Sequence, residues 1–386
     1  MNRLLIHIID IAKVTTAMLS LPVYKLINKK AIYLIGERKD QCQDNGYHLF
    51  KYIRTNHPED KVYYCITKDS KQLKKIKDLG NIIYHGTIRH YIYYILASKI
   101  VGAHLGSCDP ESPIIWKLGG KGKFKKYKMF IQHGITKELI PSLMKKNTGV
   151  NTFVCGAKPE YDYVKKNFGY DEAEVKYLGF CRFDNLHDFK EKNQILLMPT
   201  WRAWFGGSTW GGNNDDEFLS SDYYKRFQSL INNKKLEEYL VENDMDLVFY
   251  PHHEMQRYLK YFSTSTRRIK IAKAEKYDVQ DLLKESKLLI TDYSSIAFDF
   301  AYMRKPIIYY QFDQEEYFSK HYQKGYFDYE RDGFGKVIKE EEDLVKYLMK
   351  IINCKDFNKY INRDKSFFTL YGNENCKRHY EIIINE

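Results

Sequence analysis

Residues 287–310 read KLLITDYSSIAFDFAYMRKPIIYY. Two apolar runs, 287–291 and 306–310, flank a polar turn of Asp292, Tyr293, Ser294 and Ser295 and a helix-forming stretch at 295–302. Strands joined through a crossover helix lie parallel, whereas an antiparallel pair can close with a short hairpin. The runs are continuously apolar rather than alternating, as expected of strands covered on both faces.

The same alternation extends outward in both directions. Upstream in the same half, strands are expected at 194–199, 246–250 and 269–271, with helices at 223–232, 234–243, 279–285 and 295–302. Residues 205–214, rich in Gly and Asn, read as a polar loop. Nearer the N-terminus, strands are expected at 31–36, 62–67, 81–85, 99–103, 129–132, 152–155 and 175–178, and helices at 47–56, 70–79 and 90–97. Two α/β units joined near 185–193 predict two Rossmann-like domains facing a cleft: 31–188 for an acceptor and 189–386 for a donor, after a helix at 1–30.

The chain has 386 residues, 44% of them hydrophobic, which is enough for two cores. Its net charge of +12 fits a nucleic acid, an anionic membrane, an acidic substrate or a plain basic surface. Cys42, Cys65, Cys108, Cys155, Cys181, Cys354 and Cys376 are scattered without a CxxC, which predicts reduced thiols and no metal site. Between residues 4 and 27, polar Arg3, His7, Asp10, Lys13, Thr16 and Ser20 recur every three or four positions beside a broad apolar face. Asp10 and Lys13 fit a spanning helix poorly, and no cleavage-site pattern follows. Two readings stay open: an in-plane membrane anchor with Lys25, Lys29 and Lys30 meeting headgroups, and a helix packed on its own domain.

In doubly wound sheets ligands bind beyond the strand C-termini, so residues just after strands carry the functional signal. His133-Gly134 follows one strand; alone it reads equally as a turn-capping histidine, in company as a base. Arg202 follows another in Pro199-Thr200-Trp201-Arg202, with a guanidinium suited to phosphate. His252-His253 follows Tyr250-Pro251; adjacent imidazoles diverge, so a phosphate contact is expected and a metal is not. Thr291 and Asp292 lead into Ser294 and Ser295, which offer hydroxyls either as helix caps or to an anion. Asp215-Asp216 reads as a solvated turn, and Lys121, Lys123, Lys125, Lys126 and Lys128 as a docking patch or a solvated face. Neither a P-loop nor GxGxxG nor GxSxG occurs, which counts against a kinase, a nicotinamide enzyme and an esterase.

In this order, Gln132-His133-Gly134, Gly179-Phe180-Cys181-Arg182-Phe183-Asp184, Pro199-Thr200-Trp201-Arg202, Tyr250-Pro251-His252 and Thr291-Asp292-Tyr293-Ser294-Ser295 with Asp299 resemble the CDP-glycerol glycerophosphotransferase family of teichoic-acid and capsule enzymes. The resemblance covers roughly residues 90–335. It implies a GT-B fold, a peripheral monotopic place on the cytoplasmic face of the membrane, and no cofactor beyond the CDP-glycerol or other CDP-polyol substrate. By resemblance His133 is the base, and His252, with His253 beside it, serves the donor phosphates. Arg202, Ser294 and Ser295 lie near the pyrophosphate, and Gly134, Arg182, Asp184 and Asp299 support the site. Gln132 stands where the family often has Trp, Ile135 where it has Thr, and His253 where it has Pro. The length suits a catalytic core without the helical N-terminal domain of large polymerases, as in a primase or a capsule enzyme.

The expected reaction is attack by a hydroxyl of a lipid-linked glycan or polyol-phosphate acceptor on the β-phosphorus of a CDP-polyol, releasing CMP. The expected partners are these substrates and an anionic membrane, with no nucleic acid. Two alternatives stand beside it: a nucleotide-sugar glycosyltransferase of the same architecture, and a non-enzymatic basic membrane- or nucleic-acid-binding protein.

Overall fold

A computed structural model of the chain describes residues 3–27, 29–120, 124, 126–205, 215–320, 323–351 and 358–386. The chain forms two compact units, Met1–Ile135 with Pro141–Asn185 and Gly372–Glu386, and Thr136–Ile140 with Leu186–Tyr371. The last segment, read from sequence with the second half, packs instead in the first unit. Asp184 holds it there by accepting from the backbone N–H groups of Asn375 (2.9 Å) and Cys376 (2.8 Å) and from Asn375 Nδ2 (2.6 Å).

In the first unit β1 (Ile32–Gly36), β2 (Lys61–Ile66), β3 (Ile82–Tyr84), β4 (Lys99–Gly102), β5 (Tyr127–Phe130), β6 (Thr152–Cys155) and β7 (Val175–Tyr177) make one sheet in the order β3-β2-β1-β4-β5-β6-β7. In the second, β8 (Gln194–Leu197), β9 (Asp246–Phe249), β10 (Ile269–Ile271), β11 (Leu288–Thr291), β12 (Ile307–Tyr310) and β13 (Gly335–Ile338) follow the order β10-β9-β8-β11-β12-β13. Every pairing is parallel. This is the expected α/β class, doubly wound twice over. The winding reverses between β1 and β4 and between β8 and β11, opening a crevice at those strand ends.

Some local expectations change. Residues 70–79 form two short 3₁₀ turns, Leu73–Lys75 and Lys77–Leu79, instead of one helix. There Gln72 Oε1 accepts the Cys42 N–H (2.6 Å), and Ser70 Oγ donates to Asp40 O (2.6 Å). Strand β13 was not legible, because Gly335 and Lys336 weaken its apolar signal. The glycine is required by close packing: a Cβ would lie 1.9 Å from the Ile307 carbonyl oxygen. Asp215 and Asp216 open the helix Asp215–Ser220, where negative charge suits the first turn, and Asp215 accepts from Lys260 Nζ (3.0 Å). Loop residues 206–214, Lys121, Lys123, Lys125 and Cys354 lie outside the described residues. Lys126 turns inward, donating to the carbonyls of Ile95 and Ala97 (both 3.1 Å). The other cysteines are buried free thiols.

The helix Arg3–Ile27 is amphipathic as expected, but Asp10 and Lys13 of its polar stripe face the domain while His7 and Thr16 stay exposed. Asp10 is buried and accepts from Tyr91 Oη and Ser112 Oγ, each 2.9 Å away. Lys13 donates to Gly86 O (2.6 Å), while Val14 and Ala17 fill the contact with the domain. The apolar face is left outward: Leu19 is 77% exposed and Leu26 75%. The segment Leu4–Ile27 is long and apolar enough to cross a membrane.

Candidate active site

In the first unit the chain leaves β5 through a sharp turn at Gln132, which has φ +56°, a left-handed conformation uncommon outside glycine. The turn is held from all sides. Gln132 Nε2 donates to Val154 O (2.5 Å) and to Glu160 Oε1 (3.0 Å), and buried Glu160 also receives the Gly156 N–H (2.7 Å). Asn45 Nδ2 donates to the carbonyls of Ile131 (3.2 Å) and Gln132 (2.9 Å). Arg182 Nη1 donates to His133 O (3.2 Å) and pairs with Asp44 Oδ1 (2.8 Å). Arg182 is therefore a backbone brace, while Asp184 belongs to the C-terminal clamp already described.

The turn sets the His133 side chain outward, with partly exposed Gly134 beside it. Its Nδ1 lies 3.3 Å from Ala103 O. A carbonyl can only accept, so Nδ1 carries the proton and Nε2 keeps its lone pair. Desolvation by the surrounding protein lowers the pKa of His133; Asp44 and the Ala103 carbonyl oppose this, and Arg38 and Arg182 add to it. The ring is thus neutral near pH 7 and can accept a proton. The His104 ring lies flat against it, centroids 4.2 Å apart and planes 6° apart. Burial, then His133 and Arg38, lowers the His104 pKa to about 2. After β1, buried Glu37 accepts from the N–H groups of Gln43, Asp44 and Tyr47 and so shapes the loop that carries Asp44 and Asn45. Burial and the nearby Asp44 raise its pKa to about 7.

In the second unit the expected phosphate contacts divide into two groups. Arg202 is wholly buried, with Nε 2.8 Å and Nη2 3.1 Å from the Asp313 carboxylate and Nη2 2.9 Å from Asp292 Oδ2. Its remaining nitrogen, Nη1, faces Thr200 O (3.2 Å) and Trp201 O (3.4 Å). Asp292 Oδ1 accepts from the N–H groups of Thr200 (2.8 Å) and Tyr293 (2.6 Å), and Thr291 Oγ1 donates to Met198 O (2.7 Å). Arg202, Asp292 and Thr291 therefore brace the ends of β8, β11 and β12, with these polar atoms facing protein. Asp299 is likewise buried, within the helix Ile296–Tyr302.

Of the other expected contacts, His252, His253 and Ser295 are at least partly exposed and Ser294 is buried. His252 starts the 3₁₀ helix His253–Tyr261 and accepts the Glu254 N–H at Nδ1 (3.3 Å), which in the neutral ring leaves the proton on Nε2 as a donor. Trp201 stacks on its ring at 6.4 Å. His253 is exposed, with Nδ1 3.8 Å from Glu254. Ser294 Oγ accepts from the Ile296 N–H (3.4 Å), and partly exposed Ser295 makes no capping bond. No cluster of metal-ligating side chains occurs among the described residues.

The sequence profile described as CDP-Glycerol:Poly(glycerophosphate) glycerophosphotransferase matches residues 17–385. The chain belongs to this family. Among relatives of this glycerophosphotransferase-family chain, the minor teichoic acid biosynthesis protein GgaB of Bacillus subtilis (strain 168) is 33% identical over 381 residues, covering 94% of this chain and 40% of GgaB. A teichoic acid poly(glycerol phosphate) polymerase of Bacillus spizizenii is 26% identical over 234 residues, 60% of this chain and 53% of the polymerase. The chain spans two-fifths to about half the length of the curated relatives it matches first. A structure of the wall teichoic acid polymerase TagF superposes with a TM-score of 0.68 at 16% identity, covering 97% of each chain, a likeness of fold.

Several residues of the family member's site went unread in the sequence. Glu37 and His104 follow strands as His133 does, so inspecting every strand end would have found them. Asp44, Asn45 and Glu160 are reached only through tertiary contacts.

Proposed function

We propose that the protein transfers glycerol phosphate, or another polyol phosphate, from a CDP-polyol to a hydroxyl of a lipid-linked teichoic-acid or capsule acceptor. The observation that carries the reading is His133: a neutral imidazole whose Nδ1–H is committed to Ala103 O, in a chain of the glycerophosphotransferase family. Nε2 takes the proton of the acceptor hydroxyl as its oxygen attacks the β-phosphorus. The bond from that phosphorus to the bridging oxygen breaks, and CMP departs with the electron pair. His252, as an Nε2–H donor, with Ser294 and Ser295, contacts the donor phosphates, and His253 stands beside them. Arg202, Asp292 and Thr291 hold the strand ends that present these groups. The first unit serves the acceptor and the second the donor.

The outward apolar face of Arg3–Ile27 supports a peripheral place on the cytoplasmic face of an anionic membrane, where the lipid-linked acceptor would be met. The N-terminal lysines supply positive charge to that surface.

The test is CMP release from CDP-glycerol and from CDP-ribitol in the presence of membranes. His133→Ala is expected to lower the rate by about 10²–10⁴. Near-normal turnover by this variant overturns the assignment of the base, and activity only with a nucleotide sugar overturns the donor class.

A further inference from the structure

We propose that Ala103-His104, the dipeptide following β4, is a clamp that presents Nε2 of His133, with His104 a positioning residue. The proposal rests on His133 being the base of the transfer reaction. Two contacts define the orientation of the His133 ring, and neighbouring residues supply both. The Ala103 carbonyl takes the Nδ1–H at the ring edge (3.3 Å), and the His104 ring covers one face at 4.2 Å. The edge contact alone leaves the ring free to swing about its Cβ–Cγ bond. Turned over, it would present Nδ1 outward and lose the single tautomer. The covering ring blocks that swing.

The clamp is itself anchored. Ser107 Oγ donates to His104 O (2.6 Å) and accepts from the His104 N–H (3.0 Å). A Cβ at Gly102 would come 2.7 Å from His104 O, so the turn requires glycine there. Arg38 Nε donates to His104 Nε2 (3.3 Å), which places the His104 proton on Nδ1. That Nδ1 is buried with no hydrogen-bond partner. An unpaired buried N–H opposes folding, and most such groups in native proteins have an identifiable reason. Here the reason is the stack: an apolar residue would avoid the cost, but His104 alone can cover His133 while being pinned from behind by Arg38.

The charged and titratable groups facing His133 are Asp44, Arg38, Arg182 and His104. Removing His104 opens one face of the ring to water. Since desolvation is the main force lowering the His133 pKa, that pKa should rise toward its ordinary value, and the acid limb of the rate profile should move to higher pH.

Histidine-selective nitrogen NMR of the full-length chain reads the His133 tautomer in the resting protein, without turnover, with the signal assigned by its loss in His133→Gln. The wild type is expected to show one neutral tautomer, protonated at Nδ1. His104→Ala should show mixed tautomers and a raised His133 pKa. Its kcat for CMP release should fall about tenfold to a hundredfold, with KM for CDP-glycerol within about twofold. His104→Phe keeps an aromatic cover and should recover most of the loss. A single unchanged tautomer in His104→Ala overturns the clamp, whether or not turnover falls. Full turnover by His133→Gln instead overturns the base reading, and the tautomer measurement tells the two failures apart.

Discussion

Replacing Arg202 by methionine removes the cation from a site that holds two carboxylates and no water-facing surface. Arg202 is 0% exposed, and its fork meets Asp313 at 2.8 and 3.1 Å and Asp292 at 2.9 Å. The rings of Tyr223, Tyr293 and Tyr317 lie 5.0, 5.1 and 5.2 Å from the guanidinium carbon. Without it, Asp292 and Asp313 must remain as buried unpaired charges or take up protons. Burial already raises the pKa of Asp292, against the lowering effect of Arg202. Breaking a buried ion pair from one side costs about 3–5 kcal/mol. For a unit of this size each kcal/mol shifts the midpoint by about 2–4 °C, so a loss of about 6–20 °C is expected for the second unit. Differential scanning calorimetry of the full chain reads it. Adding Asp292→Asn and Asp313→Asn should restore much of the loss, because neutral partners of similar shape no longer need the cation. A thermal transition unchanged in Arg202→Met, with CMP release abolished, would show that Arg202 acts on the donor and refute the brace.

Three other outcomes follow from the same reasoning. Leu19→Asp with Leu26→Asp should weaken sedimentation with anionic vesicles by about tenfold or more per residue, since each buried leucine contributes about 1.5–3 kcal/mol, with the thermal transition unchanged; unchanged sedimentation rejects the anchor. Asp364 is buried, both its carboxylate oxygens lack partners, and burial raises its pKa to about 8, opposed by Arg304. Below its ordinary range both folded and unfolded forms are protonated. As pH rises toward 8 the unfolded chain releases its proton first, so stability falls by at most about 1.4 kcal/mol per pH unit. Asp364→Asn should flatten that decline between pH 4 and about 8 in urea titrations, and an identical slope would reject the assignment. Asp184→Ala removes the acceptor for Asn375 and Cys376, should cost about 1–3 kcal/mol, and should make the C-terminal helix Asn375–Asn385 susceptible to protease at unchanged His133 chemistry.

The sequence alone determined that the fold is parallel α/β, because continuous apolar runs such as Leu288–Thr291 and Ile307–Tyr310, separated by a helical segment, leave few other arrangements. It also determined that His133 stands at a strand end, and that residues 4–27 form an amphipathic helix, since both follow from local order along the chain. The direction of that helix was not local: a carboxylate such as Asp10 ordinarily faces water, but Tyr91 and Ser112 offer it hydroxyls and hold it inward. Nor was the duty of Arg202. A guanidinium suits phosphate and carboxylate equally, and the carboxylate it meets here, Asp313, lies 111 positions away along the chain. The same holds for His133 itself: its tautomer depends on a carbonyl 30 residues earlier, at Ala103. Hydrogen bonds and burial act through space, so residue type set what each group could do, and only the tertiary structure decided with which partner it does so.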